Sequence, residues 1–184
     1  MEDLSLHILD IAENSVAADA DRIEIIIIED KKKGLLTLEI NDNGKGMDEE
    51  TRKKAMDPFF TSKTTRRFGL GLPLLAAATR AADGDISILS NPKEGTRIKA
   101  RFSYSHIDRK PLGNINQTIL ILAMGNPDLN FIYKHIINGR AYCLNTKKIK
   151  ATFKDKSMNS LEGIKLLKEK LEEMQKKLKS EEKG

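Results

Sequence analysis

"LEINDNGKGM", residues 38–47, is the stretch on which the fold turns. The run from Leu35 to Asp42 reads as a strand, and Asp42 closes it. Gly44 and Gly46 then let the backbone turn tightly. One reading is an ordinary Asp/Asn-Gly turn. The other is a carboxylate at a strand end that accepts from the amino group of a base, with flat glycine backbone beneath the ring. This stretch alone leaves both open, so its neighbours have to decide.

Upstream, residues 4–19 read as a helix, with Leu9, Ala12 and Val16 at helical spacing and Ile8 and Ile11 beside them. "RIEIIIIED" is a second strand, joined to the first by the polar turn "DKKKG". Downstream, Met47 to Met56 reads as a short helix with Asp48 as its cap. "DPFFTSKTTRRFG" has no clean period and reads as a loop. Leu70 to Ala82 is an Ala-rich helix, and "DISILSN" with "TRIKARFSYS" makes a hairpin around "PKEG". This order predicts an α+β fold, a two-layer sandwich with helices on one sheet face. The last third, residues 105–184, reads as an extension to a domain of residues 1–104. Pro111 to Met124 is expected as a helix with Pro111 in its first turn. "FIYKHIINGRAYCLN" is a hairpin with Asn138-Gly139 as a type I′ turn. Leu161, Ile164, Leu167, Leu171, Met174 and Leu178 form one helical stripe, which docks more readily on its own domain than on a partner.

The formal charge of +5 sits entirely in residues 147–184, where 12 Lys meet 7 acids; the remainder is neutral. The basic balance therefore describes a tail with mixed-sign runs, and nucleic-acid binding is not expected, because no aromatic or Gly-basic motif accompanies the charge. The apolar runs, such as Ile25 to Ile28, are far too short to span a bilayer. The first residues are acidic, which does not fit a signal peptide, and a cytoplasmic address is expected. Cys143 is the single cysteine and is expected as a buried strand thiol.

Asp10 and Asn14 stand four apart on the first helix and share a face. An Asn amide oxygen suits Mg²⁺, which takes few protein ligands beside phosphates and waters. A carboxylate one turn earlier can order a water near a γ-phosphate. Glu13 points about 100° away from Asn14 and need not join them. "RRFGLGLPLL" places Gly69 and Gly71 at a helix N-terminus, an anion site by its N–H groups and dipole, with Lys63, Arg66 and Arg67 just upstream. It is not a Walker A loop, since no Gly-Lys-Ser/Thr follows.

Asn14, Asp42-x-Gly44-x-Gly46, "DPFFTSK", Gly69-Leu70-Gly71 and Gly95-Thr96, in that order, resemble the GHKL ATP-binding superfamily. That superfamily holds histidine kinases, anti-sigma-factor kinases, gyrase-type topoisomerases, mismatch-repair ATPases and heat-shock chaperones. The stretch from "DPFFTSK" to "IKARF" is most similar to the catalytic domain of sensor histidine kinases, and the match covers roughly residues 4–104. The resemblance implies a Bergerat-type sandwich that binds ATP with Mg²⁺. It implies that Asn14 ligates the Mg²⁺ and that Asp42 binds the adenine amino group, helped by Thr96 through a water. Gly44, Gly46 and Met47 would line the base. Residues 57–68 would form a short, mobile lid, and Lys63 with the backbone of Gly69, Leu70 and Gly71 would meet the phosphates. Asp10 holds the place where hydrolytic members carry Glu and histidine kinases commonly carry Asn, while "ENS" with "ADADRIEI" resembles the hydrolytic branch.

The resemblance therefore implies an ATP-dependent phosphotransferase acting on a protein, with an ATP-driven switch or slow ATPase as one alternative and an anti-sigma-like regulatory binding module as another. The partner would be a protein phosphoacceptor or regulatory target, and a homodimer through the C-terminal region is one arrangement the extension allows. "SHIDRKPLG", Ser105 to Gly113, resembles the phosphoacceptor box of sensor kinases through Ser105, His106, Arg109, Pro111 and Leu112, although Asp108 stands two after the His instead of one. His106 sits at a strand end instead of within a long helix, which argues against that role.

Overall fold

Alternation along "RIEIIIIED" sets the centre of the molecule. In the computed structural model, which describes residues 2–57, 71–152 and 157–182, this segment is strand β1 (Arg22–Asp30). Ile23, Ile25 and Ile27 are fully buried on one face, and Glu24, Ile26 and Ile28 lie half-buried on the other. β1 follows helix α1 (Leu4–Ala17) and precedes β2 (Leu35–Asp42), the short helix α2 (Glu49–Lys54), α3 (Gly71–Ala81), β3 (Asp85–Asn91) and β4 (Gly95–Ser103). The last third supplies α4 (Ile115–Gly125), β5 (Asn130–Ile137), β6 (Arg140–Asn145), α5 (Thr146–Lys150) and α6 (Leu161–Glu182).

All six strands join one sheet in the order β3-β4-β2-β1-β5-β6. Every pairing is antiparallel except β1 with β5. Helices α1, α3, α4 and α6 pack over one face, so the expected two-layer α/β sandwich forms. The opposite face mixes the half-buried Ile26, Ile28, Ile132 and Ile136 with ion pairs Lys99–Glu39 at 2.7 Å and Lys134–Glu24 at 2.5 Å between neighbouring strands. The predicted tail stripe docks on its own sheet and on α4: Leu167, Leu171, Met174 and Leu178 are buried, while Leu161 is exposed. Among the described residues no helix is long and apolar enough to cross a membrane.

Two expectations need correction. α4 begins at Ile115, not Pro111, because Asn114 caps it: its side chain accepts from Gln117 N–H at 3.1 Å. Gly113 ahead of the cap has φ +74°, and the Pro111 carbonyl accepts from Leu4 N–H at 2.9 Å, so the chain there is committed to α1 instead. Cys143 is exposed, since it lies opposite Lys134 on the sheet face that no helix covers.

A buried polar chain ties β1 to β5. His135 Nε2 meets Glu29 Oε1 at 2.7 Å, Tyr133 OH meets His135 Nδ1 at 2.9 Å, and Tyr104 OH donates to Glu29 Oε2 at 3.0 Å. Burial pushes the Glu29 carboxyl up, but the hydrogen bond and charge of His135 and the Tyr104 hydroxyl outweigh it and leave it below the usual range. A buried charge is tolerable only when so paired.

Candidate functional site

Sheet register places Asp42, Thr96 and Ser90 side by side on β2, β4 and β3, at the end of the sheet where α1 finishes. The Asp42 carboxylate is fixed on every side. Its Oδ1 accepts from Gly44 N–H at 3.0 Å and Thr96 N–H at 3.1 Å. Its Oδ2 accepts from the buried Ser15 hydroxyl of α1 at 2.6 Å. Two donors fill Oδ1, but Oδ2 keeps one acceptor direction. Thr96 Oγ1 lies 2.9 Å from Ser90 Oγ, and Ser90 Oγ also takes Met47 N–H at 2.9 Å. Sequence reading missed Ser15 and Ser90; the only available signal for Ser15 was its place one residue after Asn14.

The glycines answer to the protein itself. Gly46 has φ +67°, and a Cβ there would stand 1.9 Å from the Asn91 carbonyl oxygen. Gly95 has φ +86°, and its Cβ would meet the Asp42 carbonyl oxygen at 2.0 Å. The turn after β2 is thus wedged between the β3–β4 hairpin and the end of α1, where Lys45 N–H donates to the Ala18 carbonyl at 2.8 Å. Positive φ and a filled Cβ position both exclude other residues.

Along α1, Asp10 and Asn14 are half-buried on one face and Glu13 is exposed, as helical geometry predicts. The Asn14 carboxamide makes no hydrogen bond to another described residue. Asp10 is pressed against the first residue of α3: a Cβ on Gly71 would stand 2.3 Å from Asp10 Oδ2. Asp10 thus abuts the backbone of α3 at Gly71, where a larger residue would collide with its carboxylate. From Ser15 back to Asp10 the helix rises about 7.5 Å. One face of α1 therefore leads from Ser15 at the Asp42 carboxylate, past Asn14, to Asp10 against Gly71 of α3. Among the described residues no three His, Cys, Asp or Glu side chains gather into a metal cluster. A single amide oxygen suits a magnesium ion whose other ligands are phosphates and waters.

Lys63, Arg66, Arg67, Gly69, Leu70 and the lid segment beyond Asp57 lie outside the described residues. His106 is not brought to Asp42. β4 has its Gly95 end at Asp42, and His106 follows its other end, about 25 Å away at 3.3 Å per residue. There, His106 Nδ1 accepts from Asp108 N–H at 3.1 Å, and Nε2 lies 3.3 Å from Asp83 Oδ2.

A sheet with helices over one face, and a strand-end carboxylate held between backbone amides beneath the first helix, define an ATPase-type α/β sandwich. The chain belongs to the histidine kinase-, DNA gyrase B- and HSP90-like ATPase family, whose model matches residues 2–106. It is 34% identical over 92 residues to the sensor histidine kinase YxdK of Bacillus subtilis, which is 48% of this chain and 27% of that protein. It is 45% identical over 58 residues to the signal transduction histidine-protein kinase AtoS of Escherichia coli, which is 32% of this chain and 9% of that protein. The matched stretches are thus a minor part of each of these relatives. The crystal structure of the N-terminal domain of a DNA repair protein covers 83% of this chain and 57% of its own, with a TM-score of 0.57 and 16% identity, a likeness of fold.

Proposed function

We propose that the chain binds ATP with Mg²⁺ and transfers the γ-phosphate to a protein partner, as a kinase of the histidine-kinase-like type. The observation that carries this reading is the Asp42 carboxylate, oriented by Ser15, Gly44 and Thr96 with one acceptor direction left on Oδ2. That direction fits the exocyclic amino group of adenine, a donor that guanine lacks at the same position. Asn14 would hold the Mg²⁺ between the phosphates, and its uncommitted carboxamide supports that role. The N-terminus of α3 would face the phosphates, with Lys63 and the Gly69 to Gly71 backbone around them. The magnesium supplies charge neutralisation on the phosphates; the chain's own residues bind and orient the nucleotide. The kinase assignment rests on the 34% identity over 92 residues to a sensor histidine kinase, within a family that also holds gyrase- and HSP90-like ATPases. Incubation of the full chain with γ-labelled ATP, Mg²⁺ and a fraction of interacting proteins tests it. A labelled, acid-labile phosphoprotein is expected. Nucleotide binding without any label transfer rejects the kinase reading.

One observation favours a second reading, slow ATP hydrolysis coupled to a conformational switch. Asp10 is a carboxylate one turn before Asn14, where it can order a water. Steady phosphate release that disappears in Asp10→Asn supports hydrolysis; release that persists unchanged rejects a role for Asp10 in it. The regulatory-module reading loses its main support, because the stripe of α6 is spent on its own domain.

A further inference from the structure

Behind Thr96 stands a buried hydroxyl, Ser90, whose protons can be counted. Its Oγ has three neighbours at 2.9 Å: the Met47 N–H, the Gly95 carbonyl oxygen and the Thr96 hydroxyl. A serine hydroxyl has a single proton and two acceptor lone pairs. The Met47 N–H can only donate, and the Gly95 oxygen can only accept. The Gly95 oxygen therefore takes the Ser90 proton, since otherwise two oxygens would face each other at hydrogen-bond distance with no hydrogen between them. That leaves the Thr96 contact one direction: Thr96 donates and Ser90 accepts. Each of the three contacts then has a proton of its own, and the capacity of Ser90 is filled. For Thr96 the consequence is one of polarity. Its N–H goes to Asp42 Oδ1 and its hydroxyl proton goes to Ser90, so what Oγ1 has left to offer is lone pairs.

We propose that Ser90 is a positioning residue that sets base selectivity: by holding the Thr96 proton it makes Asp42 and Thr96 a pair of acceptors, which takes a 6-amino purine and excludes a 6-oxo purine. The inference rests on the placement of adenine at Asp42 proposed above. Sheet register sets Thr96 directly opposite Asp42, and residues so paired have Cβ atoms about 4.5–5.5 Å apart. Both are half-buried, and neither has a proton to give: Asp42 Oδ2 keeps an acceptor direction, and Thr96 Oγ1 has spent its hydrogen inward. The amino group of adenine brings two hydrogens to this pair. The 6-oxo group of hypoxanthine or guanine brings lone pairs, and no donor meets it unless Thr96 turns its proton outward. That turn would take the bond away from the buried Ser90, which has no other described donor to replace it. Selectivity is thus fixed one residue behind the surface that touches the base.

Calorimetric titration of the full chain with Mg²⁺ and non-hydrolysable analogues of ATP and inosine triphosphate reads the outcome as a ratio of dissociation constants. Ser90→Ala frees the Thr96 proton to meet a 6-oxo group, so the preference for the ATP analogue is expected to fall by about 3- to 10-fold. The same change also orphans the Met47 N–H, but a purely structural loss of that kind weakens both nucleotides alike and leaves the ratio in place. In a Thr96→Val background Ser90→Ala is expected to leave the ratio unmoved, because no proton remains to be freed. Thr96→Val alone is expected to weaken the ATP analogue and not the inosine analogue, which decides the matter should Ser90→Ala fail to fold. A ratio unmoved by a folded Ser90→Ala overturns the proposal. So does a shift that persists in the Thr96→Val background, or a Thr96→Val that weakens both analogues equally. Asp42→Asn tells this failure from that of the site beneath it. If that variant binds the ATP analogue as the wild type does, adenine is not at Asp42 and both readings fall; if it binds weakly while Ser90→Ala leaves the ratio in place, the role of Ser90 alone falls.

Discussion

Replacing Asp42 by Asn separates the proposed base contact from the integrity of the fold. The two backbone donors, Gly44 N–H and Thr96 N–H, both reach Oδ1, so the amide oxygen takes that place. The new NH₂ group then stands where Oδ2 accepted from Ser15. The Ser15 hydroxyl can rotate, accept from the amide and donate to the Ile11 carbonyl, which lies at 3.3 Å. The exchange weakens charge-assisted bonds to neutral ones, a loss of about 1 kcal/mol, or about 2–4 °C in melting temperature for a chain of this size. The effect on adenine is larger. Its amino group meets a donor instead of an acceptor, which costs about 2–4 kcal/mol and weakens binding roughly 30- to 700-fold. Calorimetric titration with a non-hydrolysable ATP analogue measures the loss. Inosine triphosphate, whose 6-oxo group accepts, is the control: the variant is expected to bind it better than the wild type does. Unchanged affinity for the ATP analogue, with melting intact, would refute the placement of adenine at Asp42.

Further outcomes follow from single contacts. His7 is 2% exposed, and burial pushes its pKa down to about 4. Because the folded value lies below the unfolded one, its contribution is complete above about pH 6.5 and is lost as pH falls toward 4, by about 2 kcal/mol at pH 5; urea unfolding at pH 7 and pH 5 should show this, and His7→Leu should flatten it. Gly71→Ala should destabilise the chain by about 1–3 kcal/mol through its 2.3 Å approach to Asp10, and in an Asp10→Ala background the same change should become neutral or stabilising. Ser15→Ala should weaken ATP binding by roughly 3- to 10-fold while leaving melting within a few degrees, since Asp42 keeps its two backbone donors. Leu171→Ala, at a position 2% exposed on α6, should cost about 2–5 kcal/mol, measured by denaturant unfolding.

The parts of this molecule that read well in sequence are those whose signals are local. Asp48 as a cap, the Asn138-Gly139 turn and the alternation of β1 and β5 each depend on neighbours within a few residues. The rest depends on contacts across the chain. Nothing near Ser15 or Ser90 announces that they hold Asp42 and Met47, because those partners stand 27 and 43 residues away. Glu29 and His135 are 106 residues apart, and their pairing requires the parallel register of β1 and β5, which no local pattern encodes. The start of α4 was obscured because Pro111 is an equally good first-turn residue, and only the contact with Leu4 shows that the chain uses it otherwise. The side of Cys143 was legible in principle: hairpin parity puts it with Lys134, on the face opposite the helices.

The buried chain from Tyr104 through Glu29 and His135 to Tyr133 separates ancestry from mechanical integrity. The block shared with the family ends at residue 106, yet the central strand takes its second neighbour from residues 130–137. A cut at the family boundary would leave β1 with a bare edge and Glu29 without His135. The block that the family model matches is smaller than the sheet it helps to build, and a change in the last third would be felt at the middle of that sheet.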